Sequence, residues 1–99
     1  MPTRDEILEY LRSIKSRLSD ELGIHTIGLF GSYAQNRQHT SSDIDLLIEF
    51  HPDTPELFEK KEKLRELIST RFHKNVDICR KKYLKPYYAK GVLDSVVYA

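Results

Sequence analysis

The stretch that decides the fold is Gly31-Ser32 followed, after ten residues, by residues 43–50, DIDLLIEF. Acidic and aliphatic side chains largely alternate in 43–50, which is typical of a β-strand with one buried face. Alternation sends residues i and i+2 to the same side of a sheet, so we expect Asp43 and Asp45 to point the same way. The β-rich run 24–30 predicts another strand immediately before the Gly31-Ser32 turn.

Two carboxylates held this close repel each other unless a cation lies between them. Mg²⁺, a hard cation, typically combines one or two carboxylates with substrate phosphates. A third acid, Asp77, lies in a short apolar run, 76–79, where an unpaired carboxylate is costly to bury. If that run is a neighbouring strand, Asp43, Asp45 and Asp77 converge on a site suited to two-metal phosphoryl or nucleotidyl transfer. The alternative for Asp77 is a solvent-facing acid on an edge strand.

The Gly31-Ser32 turn lies between a predicted strand and a short predicted helix. Backbone N–H groups in such a turn form an anion site. The glycine permits close approach of a phosphate, and the serine hydroxyl can donate a hydrogen bond to it. Gly-Ser turns are common, so the matched spacing to the acid pair is what favours phosphate binding over an ordinary turn.

The pattern Gly-Ser-x10-Asp-x-Asp with a lone aspartate on a later strand resembles the DNA polymerase beta-type nucleotidyltransferase superfamily. The contexts 28–34 (GLFGSYA) and 42–50 (SDIDLLIEF) are similar to those of minimal nucleotidyltransferases. In bacteria and archaea these are commonly antitoxins encoded beside a HEPN-domain toxin. The resemblance covers nearly the whole chain. It implies the polymerase beta palm-like fold, which agrees with the α/β class indicated by helices that follow strands: a small mixed sheet covered by helices on one face.

The resemblance also implies roles for particular residues. Asp43 and Asp45 would hold two Mg²⁺ ions, and Asp77 would ligate one of them and help to deprotonate the attacking hydroxyl. Gly31 and Ser32 would bind the nucleotide. All three aspartates are therefore candidate catalytic residues and candidate metal ligands.

The chain departs from the family at two positions. Members usually read Gly-Ser-[Tyr/Phe]-Ala-Arg-Gly, whereas Gln35 and Asn36 stand in the last two positions here. Loss of a guanidinium, a bidentate phosphate partner, weakens triphosphate binding, and Arg37 is the nearest candidate to replace it as a nucleotide-binding residue. If the family glycine at this position has positive φ, Asn36 can adopt that conformation better than most residues. Because the carboxylates are intact, we expect an active enzyme.

The reaction that the resemblance implies is transfer of AMP from ATP to a hydroxyl, a tyrosine, of a partner HEPN toxin, with Mg²⁺ as cofactor. One alternative is an inactive antitoxin that neutralises its toxin by binding alone. Another is nucleotidylation of a small molecule. The tyrosine-rich segment 83–98 is expected to form an interface with the toxin or, in a homodimer, with a second copy. Direct nucleic-acid binding through its interleaved lysines is the less favoured interpretation.

Composition sets bounds on the class of protein. A chain of 99 residues, 39% hydrophobic and 31% charged, predicts one small domain, 1–99. No apolar run approaches the ~20 residues that span a bilayer, the N-terminus has no signal-peptide pattern, and the single Cys79 excludes an internal disulfide. These features predict a cytoplasmic protein. Residues 1–70 carry 13 acidic and 9 basic side chains, whereas residues 71–99 carry 2 and 7.

Helix boundaries are predicted from capping signals. Thr3 with a glutamate three residues on is a capping box that predicts a first helix over 4–22, ended by Gly23. Thr54-Pro55 predicts the N-cap and first position of a second long helix. Helical spacing recurs over 83–95, although Gly91 is unfavourable there.

Overall fold

A computed structural model describes the backbone of residues 1–99 and every side chain except that of Tyr88. Five α-helices and four β-strands follow one another along the chain. The helices are α1 Arg4–Ser13, α2 Lys15–Leu22, α3 Gly31–Ala34, α4 Leu57–Phe72 and α5 Pro86–Ser95. The strands are β1 Ile24–Phe30, β2 Ile44–Phe50, β3 Val76–Arg80 and β4 Val97–Tyr98, with a 3₁₀ turn at Lys81–Tyr83.

The helix predicted over 4–22 is divided in two at Ile14, whose φ of −109° and ψ of 8° are not helical. The Ser13 hydroxyl donates to the Tyr10 carbonyl at 2.6 Å. The Ile14 N–H donates to the same carbonyl at 3.2 Å. A serine hydroxyl that competes for a carbonyl of the helix weakens the regular ladder at that point, which accounts for the break.

The second long helix begins later than the sequence predicts. The Thr54 hydroxyl donates to the His51 carbonyl at 2.7 Å and so does not cap a helix. Instead Glu56, with φ of 56°, precedes α4, which starts at Leu57. The other predicted boundary is confirmed, because Gly23 ends α2 with φ of 67°, a conformation that suits glycine.

The four strands form one mixed sheet in the order β3-β2-β1-β4. β1 pairs antiparallel with β2 and β4, and β2 pairs parallel with β3. β4 was not predicted, because a strand of two residues is too short to show alternation. The mixed sheet confirms the predicted fold class.

The core lies on one face of this sheet. Ile44, Leu46, Ile48 and Phe50 of β2 are buried there, opposite the acidic face, as predicted. They pack with buried side chains of α1, α2 and α4, namely Ile7, Leu8, Leu11, Leu18, Leu22, Leu64 and Ile68. None of the helices that the structure describes is long and apolar enough to cross a bilayer.

The C-terminal segment exposes much of its apolar surface. Tyr83, Tyr87, Leu93 and Tyr98 are exposed, whereas the Tyr88 side chain lies outside the described residues. Exposed aromatic surface of this kind is compatible with the predicted interface but does not identify the partner.

Candidate active site

The parallel pairing of β2 with β3 brings two of the predicted carboxylates together. Asp45 lies directly opposite Asp77 in the register of the two strands. The two carboxyl groups are close enough to hydrogen-bond when one is protonated. Asp43 immediately precedes β2, and its charge also acts on Asp45. The three predicted acids therefore occupy one region at the N-terminal ends of β2 and β3.

The Gly31 turn closes this region from the side of β1. Phe30, the last residue of β1, pairs with Asp45. Gly31 has φ of +74°, and a β-carbon on it would stand 2.2 Å from Asp45 Oδ2. Only glycine permits this approach without displacing the carboxylate. The glycine turn and the central carboxylate are thus in van der Waals contact.

The electrostatics of Asp45 reflect this crowding. Burial, followed by the charges of Asp77 and Asp43 and the hydrogen bond to Asp77, raises the pKa of Asp45 to about 6. A carboxyl group that resists ionisation in this way gains most from a nearby positive charge. Perturbed carboxyl groups of this kind cluster at functional sites.

The donor set fits a hard divalent cation, since it consists of carboxylate oxygens. Among the residues whose side chains are described, no three His, Cys, Asp or Glu groups enclose a metal position. Asp45 and Asp77 are paired, and Asp43 lies beside them. Mg²⁺ sites that use one or two carboxylates are completed by substrate phosphates, which suits a site that opens onto a glycine turn.

The backbone after the glycine turn accommodates the unusual residues of the motif. Asn36 has φ of 56°, a left-handed conformation that asparagine tolerates better than most residues. The Arg37 N–H donates to the Ser32 carbonyl at 2.8 Å, which holds Arg37 one turn beyond the Gly31-Ser32 turn. The side chains of Gln35 and Arg37 are exposed. Arg37 is therefore near the turn in the backbone, and no described residue forms a hydrogen bond or an ion pair with its guanidinium.

The loop that delivers Asp43 to the site is held by local hydrogen bonds. The Ser42 hydroxyl is buried and accepts the His39 N–H at 2.9 Å. The Ser42 N–H donates to the His39 carbonyl, also at 2.9 Å. Lys74, in the turn between α4 and β3, donates from Nζ to the Thr40 carbonyl. These contacts hold the loop over residues 39–42, immediately before Asp43.

Sequence reasoning missed Glu49, which shares the strand face of Asp45 two alternations further on. Its Oε1 accepts from Arg80 Nη2 at 2.6 Å and from Nε at 3.0 Å, and its Oε2 accepts the Lys82 N–H at 3.1 Å. Burial alone would raise the pKa of Glu49, but hydrogen bonds from Arg80 and from the Phe50 and Lys82 N–H groups outweigh it and lower that pKa. Glu49 therefore links β2 to the turn after β3. The sequence feature that could have indicated this role is its position on the same face as Asp45 in the alternating strand.

Tyr33 was also missed. Its side chain is fully buried, and its hydroxyl has no hydrogen-bond partner among the described residues. Burial, and then the charge of Asp43, raises the pKa of the Tyr33 phenol.

Cys79 behaves as a small hydrophobic side chain of the strand, as is typical of a lone cysteine. Burial, followed by the charges of Asp45 and Asp77, raises the pKa of its thiol.

The surface cavities do not all point to this site. One cavity of about 620 Å³ lies between α2 and α4, on the opposite face of the sheet from the carboxylates. A polar cleft of about 390 Å³ borders Asp43, and an apolar cleft of the same volume borders Cys79. We locate the site by its carboxylates and its glycine turn, because cavity size alone carries no chemistry.

Comparison with known proteins agrees with this geometry. Residues 11–99 match the nucleotidyltransferase domain family, to which the chain therefore belongs. It is 37% identical over 101 residues to the protein MJ0128 of Methanocaldococcus jannaschii, with 99% of each chain covered. It is also 37% identical over 100 residues to the protein adenylyltransferase MntA of Thermococcus cleftensis, with 99% of this chain and 97% of that one covered.

Among solved structures, the chain is similar to a toxin-antitoxin crystallised with AMP-PNP. The TM-score is 0.67 at 25% identity, and the match covers 88% of this chain and 69% of that one. The resemblance inferred from the motif is thereby confirmed: the chain is a nucleotidyltransferase of the minimal, MntA-like kind.

Proposed function

We propose that this protein is an antitoxin that transfers AMP from ATP to a hydroxyl group, a tyrosine, of a partner HEPN toxin. Three similarities support the proposal: the family match, the MntA relative named a protein adenylyltransferase, and the toxin-antitoxin structure with AMP-PNP. Adenylylation of a toxin by its cognate partner would modify the toxin covalently and so silence it.

The observation that carries the proposal is the contact between the glycine turn and the paired carboxylates. Gly31 lies against Asp45, and Asp45 lies opposite Asp77. A phosphate held at the turn is therefore next to two acids whose mutual repulsion favours cations. This arrangement suits transfer of a nucleotidyl group, in which positioning and charge stabilisation supply most of the catalysis.

The chain's own residues have distinct tasks in this reaction. The backbone N–H groups at Gly31 and Ser32 and the Ser32 hydroxyl hold the triphosphate. The acceptor oxygen bonds to the α-phosphorus of ATP while the bond from that phosphorus to the bridging oxygen breaks, and pyrophosphate leaves. Asp77 takes the proton from the attacking hydroxyl. The products are an AMP-modified hydroxyl and pyrophosphate.

Asp43, Asp45 and Asp77 would hold the divalent cations, for which Mg²⁺ is the expected ion because the donors are carboxylate oxygens. Bound cations would supply charge stabilisation for the attacking and leaving oxygens. Two basic residues lie near this region: the Arg37 N–H donates to the Ser32 carbonyl beside the glycine turn, and Lys74 Nζ donates to the Thr40 carbonyl in the loop before Asp43. Arg37 would contribute to triphosphate binding in place of the family arginine.

The experiment is intact-mass measurement of the co-encoded partner after incubation with ATP and Mg²⁺. Substoichiometric wild-type protein should leave the partner heavier by one or more AMP groups, and Asp45→Asn should leave it unmodified. The Asp20→Asn variant is the control, because Asp20 is exposed on α2, outside both the carboxylate site and segment 83–98. A partner that is silenced by the wild type but never gains mass, with any nucleotide tried, would refute catalysis.

The second candidate function is neutralisation by binding alone, and Gln35 is the observation that favours it. Its exposed side chain occupies the position of the family arginine and carries no charge for a phosphate. Under this alternative, neutralisation needs one antitoxin per toxin and the partner mass does not change. The same mass measurement, performed over a range of molar ratios, separates the two candidates.

A further inference from the structure

An apolar cleft of about 390 Å³ lies beside the candidate active site, between the first turns of α4 and the end of β3. We call it the β3 cleft. Its lining includes Leu57, Phe58, Lys61, Ile78, Cys79 and Tyr83. A cleft of this volume holds a few side chains or a small molecule rather than a folded domain.

The β3 cleft wraps around an open edge of the sheet. Ile78 and Cys79 are consecutive, so their side chains point to opposite faces, and yet both line the cleft. β3 is the last strand in the order, and no other strand that the structure describes pairs with its outer edge. Such an edge can accept an extended chain as an additional strand.

The free part of that edge begins after Val76. Arg65 Nε donates to the Val76 carbonyl at 3.2 Å, which occupies the first outward-pointing acceptor. Backbone groups of alternate residues in a strand point to the same edge. The N–H and carbonyl of Ile78 therefore also point outward, into the β3 cleft.

The cleft is continuous with the carboxylates. Asp77 and Cys79 share a face of β3 and are two residues apart, a separation of about 6–7 Å at the rise of a strand. A chain that lies along this edge passes within the length of one side chain of Asp77. In the proposed reaction Asp77 takes the proton of the acceptor hydroxyl, so the acceptor must approach from this side.

The exposed side chains of the cleft define what it can bind. Phe58 and Tyr83 are 69% and 65% exposed, although both are aromatic. Among the described lining residues the charged side chains are Lys61 and Arg80; both are basic, but Arg80 is already paired with Glu49, so Lys61 supplies the available positive charge. The next residues along the chain, Lys81 and Lys82, are exposed and basic as well. This combination complements an acidic segment that carries aromatic or apolar side chains.

We propose that the β3 cleft is the docking groove for the acceptor polypeptide. Its occupant is an extended acidic segment that adds to the free edge of β3, packs an apolar side chain against Phe58 and Tyr83, and presents a tyrosine hydroxyl to Asp77. This inference rests on the proposed function and deepens it, because it names the surface that selects the acceptor.

The test uses a fluorescently labelled random copolymer of glutamate and tyrosine as the probe. Binding is measured by fluorescence anisotropy, and AMP transfer is measured separately with labelled ATP and Mg²⁺. Phe58→Ala and Lys61→Glu should each weaken copolymer binding by about tenfold. Lys63→Glu is the matched control: it lies two residues further along α4 but lines the groove against α2, and it should bind within about twofold of the wild type.

The two readouts separate failure of the docking groove from failure of the proposed reaction. Wild-type affinity in both cleft variants would overturn the docking proposal, even if AMP is transferred. If both cleft variants lose binding but the wild type transfers no AMP to the copolymer or to the partner, the docking groove is supported and the proposed reaction is refuted. A lysine–tyrosine copolymer or an RNA oligonucleotide that binds the wild type more tightly than the glutamate–tyrosine copolymer would also overturn the proposal.

Discussion

Gly31 and Asp45 are in direct contact across the turn between β1 and α3. A β-carbon on residue 31 would stand 2.2 Å from Asp45 Oδ2 and 3.1 Å from its Cγ. Gly31 also has φ of +74°, which other residues adopt only with strain. The contact joins the turn that we propose binds phosphate to the central carboxylate, so a change at either residue should affect the other.

The first prediction concerns Gly31→Ala. We expect this variant to lose about 1–2 kcal/mol of folding free energy from the left-handed conformation. It should also lose the rise in melting temperature caused by ATP plus Mg²⁺, because the Asp45 carboxylate must move aside. Urea unfolding and thermal melts measure the two effects.

Gly91→Ala is the control, since nothing lies within 4 Å of a β-carbon there. This variant should gain about 0.5–1 kcal/mol of folding free energy and keep the ligand response. An unchanged ligand response in Gly31→Ala would contradict the role of the contact.

The second prediction concerns Asp45→Asn. In protein freed of divalent cations, this variant should be more stable than the wild type at neutral pH. It removes a partly buried charge that Asp77 and Asp43 repel, and repulsion of this kind typically costs about 1 kcal/mol of folding free energy or more.

ATP and Mg²⁺ together should stabilise the wild type more than either alone, because phosphates complete the metal shell. They should not stabilise Asp45→Asn. Thermal melts with each ligand alone and with both are the measurement. Equal shifts in the wild type and in Asp45→Asn would argue against a metal and nucleotide site here.

The third prediction concerns the pH dependence of stability at Glu49. Its pKa in the folded protein is lowered from the ordinary 4.5, so its stabilising contribution is present above pH 4.5 and disappears as the pH falls through the lower folded value. Glu49→Gln should therefore lower the free energy of unfolding by about 1 kcal/mol at neutral pH. The two proteins should converge in acid, as followed by urea unfolding across pH.

The matched control for that measurement is Glu21→Gln. Glu21 pairs with Arg17 at 2.5 Å, but both side chains are more than half exposed. Exposed pairs contribute about 0–0.5 kcal/mol, so this variant should follow the wild type at every pH. A constant difference between Glu49→Gln and the wild type down to acid pH would show that packing, not charge, accounts for the effect of Glu49.

The fourth prediction concerns Gln35→Arg. Gln35 is exposed, so the arginine should be accommodated without loss of stability. A guanidinium restores a bidentate phosphate partner, and we expect the KM for ATP to fall by about tenfold. Gln35→Lys should give a smaller fall, because its ammonium is a point charge. Steady-state measurement of AMP transfer gives the KM for ATP of each variant. An unchanged KM in Gln35→Arg would show that position 35 does not reach the phosphates.

The part of the fold that sequence predicts is local. The alternation in 43–50 placed Asp43 and Asp45 on one face, because side-chain direction in a strand depends only on the chain itself. Gly23 and Asn36 adopt the positive φ that their residue types favour. In contrast, the break at Ile14 and the start of α4 at Leu57 depend on side-chain hydrogen bonds to backbone carbonyls, which periodicity does not show.

The sequence by itself determined that this chain has the spacing of a nucleotidyltransferase, with an acid pair that follows a glycine turn. Only the tertiary structure decided that Asp77 lies opposite Asp45 and that Gly31 lies against Asp45. The physical reason is that strand register is set by hydrogen bonds between segments about thirty residues apart along the chain. Pairing partners, the tie from Glu49 to Arg80, and the open edge of β3 are properties of the assembled sheet, and no single stretch of the chain contains them.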